Sequence, residues 1–394
     1  MIKMPEIFLV DDRRGFESLR PHYEALYAVD TQASHFLSPN WIGSILEENP
    51  GRSRIIALRD EDAPGGISAL LPLERSLHWN RRQQMFQTRY TALGRLGLSS
   101  YTGFLCAPGR EVDALPRLAK VIAEMPWGGL SIRYEANHHR ADIFAQAFPK
   151  DEFEVTWPEH RVAGGKVDQL LCPVLLLPAS YKAYLDSLNP KMRKRVRRAQ
   201  SLTRGATFRS ASPDSYANDR DQLLDLWSAH FEGAENETKR VAMVDRYRAL
   251  LDRAQATGHL YLVSFWLGRT CLGASAFVAD RRARRLHAVL EASNPQAAGL
   301  DIGLLLHAHV IRKAISAGCR ALDFGHGNQD YKYRLGAENA ETSNLMLRRR
   351  SVSAVPGFDP MMLGGAIRKT RHLILGNRTE DALAGLAQLE RIVH

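Results

Sequence analysis

The chain has 394 residues with 53 Lys and Arg against 43 Asp and Glu, a formal charge of +10, which is too long for one average core and suits two domains of under ~200 residues each plus a tail. The cation excess favours anionic partners such as CoA, a nucleotide sugar, tRNA, or an anionic glycan or lipid surface. Cys106, Cys172, Cys271 and Cys319 lie far apart without CxxC spacing, which argues against a disulfide frame or zinc site; with only a short apolar run before the first charges and no stretch near ~20 apolar residues, the expectation is a cytoplasmic protein without an integral membrane segment.

In chain order, residues 6–10 read as a strand, and Gly15 to Val29 as a helix with Phe16, Leu19, Tyr23, Leu26 and Tyr27 on one side. Ser38-Pro39 starts a second helix, since Ser caps it and Pro at the first position loses no needed hydrogen bond. Strands follow at Arg54 to Arg59 and Ile67 to Leu73 around the turn-rich DEDAPGG, then at Gln83 to Leu93 and Gly129 to Tyr134. Helices are expected at Val112 to Met125 and His138 to Phe148.

A second half with the same plan begins near Leu170. Ser180 caps a short helix, and Asn189-Pro190 the next, in which Met192, Val196, Ala199 and Leu202 share a face. Lys191, Arg193, Lys194, Arg195, Arg197, Arg198 and Arg204 fill the rest without one carboxylate. Such a run is either a phosphate-facing surface or a solvated helix face. Helices from Ser212-Pro213 through Phe231 and from Thr238 to Thr257 precede a hairpin, His259 to Leu267 with Cys271 to Ala279, turned tightly at Gly268-Arg269. The hairpin echoes residues 55–73, which supports an internal duplication. Past Arg350, Pro356-Gly357 and Asp359-Pro360 break the pattern, and Met361 to Leu375 and Thr379 to Val393 form a helical hairpin.

Chemistry concentrates between Leu286 and Gly336. A strand, Leu286 to Leu290, leaves Glu291 at its end; Asn294, Pro295 and Gly299 turn the chain; Gly303 opens a helix carrying Leu304, Leu305, Ala308, Ile311 and Ile315 and closing at Gly318. The free N–H groups and dipole of such a helix start favour a phosphate without basic side chains. There is neither a GxxxxGK[ST] loop nor a GxGxxG fingerprint. Next comes DFGHGNQDYKYRLG, Asp323 to Gly336; without VAIK or HRD partners its DFG is not a kinase motif.

Gln296, Gly299 and Gly303 resemble the Q/RxxGxG/A pyrophosphate loop of the GNAT superfamily of acyl-CoA transferases, with Gly303 two residues late. Asp323, Phe324, Gly325, Gly327, Tyr331, Lys332, Arg334 and Gly336 resemble the C-terminal signature of its FemAB-like branch, which includes acetyltransferase-like proteins of polysaccharide operons and peptidoglycan-bridge aminoacyl transferases. The resemblance implies an α/β fold of mixed sheets, with two tandem GNAT-like domains. The two are 1–169, degenerate and on the acceptor side, and 170–352, with the acyl-CoA site; a helical tail, 353–394, follows them.

It further implies an N-acyltransferase acting on an amine such as an amino sugar or cell-envelope precursor, with acyl-CoA as co-substrate and no metal. Gln296, Gly299, Gly303 and Leu304 would hold the donor. Transfer to an amine needs a donor to the thioester carbonyl and a base for the ammonium proton. Lys332 is carried over as the oxyanion donor, beside the splayed strand near His287 to Leu290; Tyr331 would protonate the thiolate, and Glu291 or Asp323 accept the amine proton. His287, His326, Asn328 and Arg334 would line the acceptor side. The alternatives are an aminoacyl-tRNA-dependent transferase, with the 191–204 helix on the acceptor stem, and a non-catalytic anion-binding scaffold. Oligomeric state is left open.

Overall fold

The computed structural model describes residues 7–48, 51–95, 101–202, 205–230, 237–295, 297, 300–350 and 357–393. Its first leg runs β1 (Ile7–Val10), α1 (Arg13–Val29), α2 (Pro39–Glu48), β2 (Ser53–Arg59), β3 (Ile67–Asn80), β4 (Met85–Ala92), β5 (Leu105–Cys106), α3 (Glu111–Ala123), β6 (Gly129–Glu135), α4 (His138–Gln146) and β7 (Phe153–Thr156). The second runs β8 (Arg161–Val162), β9 (Val167–Asp168), β10 (Leu171–Leu176), α5 (Tyr181–Ser187), α6 (Pro190–Leu202), β11 (Ala206–Ser210), α7 (Tyr216–Ser228), α8 (Glu237–Ala256), β12 (Leu260–Leu267), β13 (Thr270–Asp280), β14 (Arg285–Ser293), α9 (Ile302–Ser316), β15 (Ala321–Asp323), α10 (Asp330–Arg334) and β16 (Glu338–Glu341). The chain then returns through β17 (Ser343–Arg349) to α11 (Leu363–Leu375) and α12 (Thr379–Val393).

These legs build two compact units, whose described residues lie within 7–95, 101–159 and 342–393 in one and within 160–341 in the other. The domain limits expected at 169/170 and 352/353 therefore fall about ten residues from where the contacts divide. Residues 160–169 go with the second unit, while β17 and the tail belong to the first. Each unit holds a mixed sheet, ordered β1-β2-β3-β4-β6-β17-β7 in the first and β11-β12-β13-β14-β15-β10-β16 in the second. The two follow one plan, a helix pair, an antiparallel meander, a crossover helix and a parallel strand. In each, the strand next to the parallel one is distant in sequence: β17 lies between β6 and β7, having returned after the whole second leg, and β10, from the start of its own leg, lies between β15 and β16.

Local sequence accounts for most elements. Ser180 Oγ accepts from the Ala183 amide at 3.1 Å, and Asn189 Oδ1 from Met192 at 2.8 Å, so both expected caps form. Met192, Val196 and Ala199 make the buried stripe of α6 and meet Leu304, Leu305, Ala308 and Ile311 of α9, leaving the cations outward. In the first unit, Leu115, Leu118 and Ile122 of α3 and Phe144 of α4 cover Ile56, Leu71, Leu130 and Ile132 of the sheet; each fully buried side chain of this kind contributes about 2 kcal/mol. The tail hairpin packs Ala366, Leu373, Ala382 and Leu389 on Trp79 and Phe86. Its entry is pinned by buried Asp359, which accepts from Arg75 and from the Tyr90 hydroxyl, each at 3.1 Å. β3 runs to Asn80, seven residues past its expected end, because residues 74–80 pair with β4.

Candidate active site

In the second unit, β14 and β15 are parallel neighbours only over Arg285–His287 and Ala321–Asp323. β15 then stops while β14 continues to Ser293, so the sheet opens into a notch at its C-terminal edge. Where the notch begins, Ala276 pairs with Leu290 but Phe277 with Ala288, leaving Val289 as the extra residue of a β-bulge. A bulge takes one residue out of the ladder and bends its strand. The crossover helix α9 starts beside this bend, and its first turn sits close on β13. At Gly273 a Cβ would lie 2.6 Å from Ile302 Cγ2, so only glycine permits that approach.

Five side chains, Glu291, Ser275, His307, Phe324 and Tyr331, meet near the start of α9. A Cβ on Gly303 would lie 3.1 Å from Glu291 Oε1, which places this carboxylate over the first helical turn. Glu291 Oε2 lies 3.2 Å from His307 Nε2, one turn along α9, and accepts from Ser275 Oγ at 3.4 Å. The Tyr331 ring stacks on the buried His307 imidazole at 5.4 Å, and Phe324 meets it edge-on. Burial raises the Glu291 carboxyl above its ordinary value, opposed by His307 and Ser275. Burial, and then Glu291 itself, raises the Tyr331 phenol, so Tyr331 stays protonated at neutral pH. A carboxyl raised toward neutrality beside a protonated phenol is a base next to an acid.

The cap residue of α9, Asp301, does not cap it; its carboxylate takes Arg195 of α6 in a charge-assisted bond, Nε to Oδ2 at 2.7 Å. The basic face of α6 therefore reaches the same helix start. Asp301 is neutralised there, which keeps the end of α9 receptive to an anion.

The DFG-containing loop forms a second, buried cluster. Asp323 is fully buried, accepts from the Gly325 amide at 2.8 Å and lies 3.3 Å from His287 Nδ1. Lys332 is also buried, and its ammonium donates to three carbonyls, of Gly325 (3.1 Å), His326 (2.6 Å) and Gly327 (2.9 Å). Burial lowers it to about 8. All three of its protons are engaged within the loop, so in this arrangement Lys332 clamps the loop and has no proton left for an external oxyanion. His326 Nδ1 lies 3.4 Å from Cys172 Sγ, and Asn328 Oδ1 accepts from the Asp168 amide at 2.8 Å, tying the loop to β9 and β10.

Of the site residues expected from sequence, Glu291, Gly303 and Tyr331 thus converge at the notch. Asp323, His287, His326, Asn328 and Lys332 hold the loop, the Leu304 side chain packs in the core, and Arg334 makes an exposed pair with Asp330 at 3.6 Å. Gln296 and Gly299 lie outside the described residues, as does Arg204. His307, Ser275 and the Arg195–Asp301 pair were not expected. His307 gave one available signal, a histidine on the apolar stripe of α9 four residues after Gly303.

The corresponding corner of the first unit is filled by its own chain. β4 and β6 are parallel over Arg89–Thr91 and Gly129–Ser131, but beyond Ala92 it is Thr102 that pairs beside Glu135. Tyr101, Thr102 and Phe104 are buried there. The first turn of α3 carries Glu111, which binds Arg140 at 3.0 Å; Arg140 binds buried Asp30 at 2.7 Å. Carboxylates already surround that helix start. Glu135 itself, 4% exposed, is pushed up to about 8 by burial despite a bond from the Asn137 amide. Among the described residues no group of His, Cys, Asp and Glu has the geometry to hold a metal ion.

Residues 190–333 match the profile of an acetyltransferase (GNAT) domain family. No curated protein matches the chain in sequence. Among solved structures, FemX superposes with a TM-score of 0.56 at 12% identity, over 82% of this chain and 94% of FemX. The C-terminal domain (DUF2156) of a putative lysylphosphatidylglycerol synthetase from Agrobacterium fabrum gives 0.49 at 11% identity, over 87% and 96%. A tandem GNAT protein from the clavulanic acid biosynthesis pathway gives 0.49 at 12% identity, over 88% and 98%. The likeness to FemX is one of fold.

Proposed function

From the match of residues 190–333 to an acetyltransferase (GNAT) domain family, we infer that this chain transfers an acyl group from acyl-CoA to an amine, such as an amino sugar or a cell-envelope precursor. The observation that carries the proposal is Glu291 at the bulged, splayed end of β14, over the first turn of α9 and against His307. Acyl-CoA supplies, when bound, a thioester already activated for attack and a pyrophosphate suited to a helix start. The first-turn amides of α9 at Gly303 and Leu304 receive the negative charge, with Arg195 alongside. The bulge frees the Val289 amide from the ladder as a donor to the acyl carbonyl. Glu291 takes the proton of the attacking amine at its Oε1, and His307 steadies the carboxylate through Oε2. Tyr331 protonates the departing thiolate. Asp323 and Lys332 position the loop that carries Tyr331. The first unit, whose corresponding corner is filled by buried Tyr101, Thr102 and Phe104, takes no donor.

A second reading rests on α6. Lys191, Lys194, Arg197 and Arg198 are exposed on a helix without a carboxylate, a surface suited to a nucleic-acid backbone. In that reading the donor is an aminoacyl-tRNA. Thermal unfolding with each ligand separates the two: CoA raises the midpoint if the first reading holds. Stabilisation by charged tRNA without any by CoA would replace it with the second.

A further inference from the structure

The tail hairpin gathers exposed apolar side chains. Among the described residues, six of the fourteen exposed large hydrophobic side chains fall between 361 and 386: Met361, Ile367, Ile374, Leu375, Leu383 and Leu386, with Leu375 73% and Leu383 61% exposed. The inner faces of α11 and α12 are already used, by Ala366, Leu373, Ala382 and Leu389 on Trp79 and Phe86. The outer apolar residues therefore contribute nothing to this core, and leaving them in water is unfavourable.

Charge identifies what covers them. On α11, Ile367, Arg371 and Ile374 follow one another at helical spacing, and Arg368, His372 and Leu375 form the adjacent stripe, with Lys369 at the flank. Between Pro360 and Arg378 the sequence has four Lys and Arg and no Asp or Glu. Apolar tips interleaved with cations on one short helix match the boundary of an anionic bilayer, where Ile and Leu reach acyl chains and guanidinium groups meet phosphates. A second copy of the chain fits less well, because a two-fold contact would set Arg368 and Arg371 against their equivalents. No described helix is long and apolar enough to cross a membrane, so the contact is one of surface.

We propose that the outer face of α11 docks the protein on a membrane surface rich in anionic lipid. The inference is independent of the acyl donor. Its test is co-sedimentation of the full chain with phosphatidylcholine vesicles, with and without phosphatidylglycerol. The wild type pellets with the anionic vesicles and is released by salt. Ile374→Ser with Leu375→Ser, and separately Arg368→Glu with Arg371→Glu, each weaken partitioning at least tenfold while leaving the thermal midpoint and its response to CoA unchanged. The proposal is overturned if the wild type binds anionic vesicles no better than neutral ones, or if both double variants bind like the wild type. It is equally overturned if sedimentation velocity shows a dimer that the serine variant dissolves.

Discussion

Gly303→Glu separates donor binding from folding. The added side chain starts 3.1 Å from Glu291 Oε1, at the first turn of α9. For folding, three effects compete. Replacing a helical glycine gains up to about 1 kcal/mol, and a carboxylate at a helix start gains ~0.3–1 kcal/mol. Repulsion from Glu291 removes roughly 2 kcal/mol, from unit charges ~5 Å apart at an effective dielectric of about 30. Net stability therefore stays within about 1 kcal/mol, a change of a few degrees in thermal midpoint. A phosphate at the same distance meets the same repulsion with no compensating gain, so CoA affinity falls roughly thirtyfold per phosphate charge engaged. Differential scanning fluorimetry across a CoA titration reads both quantities in one experiment. If the variant keeps the wild-type CoA response, the donor does not sit at α9 and the placement of the site is wrong.

Glu291→Gln removes the proposed base while keeping its shape; turnover with a saturating amine should fall by about 10²–10⁴. Because burial raises the Glu291 carboxyl, the acid limb of the wild-type pH–rate profile should lie above the ordinary carboxylate range and vanish in the variant. An unchanged limb would assign it to another group. Lys332→Met leaves three buried carbonyls without their donor but also removes a buried ammonium; the balance is a loss on the order of 3 kcal/mol in urea denaturation. With Lys332 lowered to about 8 in the folded state, the unfolded chain holds the extra proton between there and about 10.4. Wild-type stability therefore gains as pH rises through that window, and the Met variant lacks this gain. Glu135→Gln tests the opposite sign. Its carboxyl is raised to about 8, so the folded state retains a proton the unfolded one loses near ~4.3, and wild-type stability falls as pH rises between them. Relative to wild type the variant should gain about 1.4 kcal/mol per pH unit between pH ~5 and ~7; parallel curves would contradict the buried, protonated assignment.

Much of the site could be read in the amino acids because it depends on short-range chemistry. Small residues between a strand and an apolar helix marked the start of α9, and the strand end marked Glu291; both are governed by residues within one or two turns. The tail helices, expected at Met361 to Leu375 and Thr379 to Val393, lie at Leu363–Leu375 and Thr379–Val393. The direction of a long side chain was less accessible. Lys332 follows Tyr331 on one turn of helix, yet it folds back to three carbonyls while the tyrosine faces His307, and no periodicity encodes that choice. His307 was hidden because a histidine on an apolar stripe looks like packing until its carboxylate partner, from another strand, is known. Short edge strands such as β11 and β16 carry weak alternation and exist mainly because a neighbour pairs with them. Partner choice is the largest gap: a period of two announces a strand but says nothing of which sheet will take it.

The placement of β17 has a consequence for how the protein is made. The Tyr134 amide donates to Asn344 Oδ1, 210 residues further along the chain. When β6 and β7 leave the ribosome, the strand that belongs between them has not been synthesised. The first unit must wait with two open sheet margins while the whole second unit emerges, and nascent chains arrested before Ser343 should be protease-sensitive in both halves of that gap. Loop closure over such a span is slow, and open margins invite pairing with other chains. Expressing the N-terminal portion alone should thus yield an aggregating fragment instead of a small stable domain.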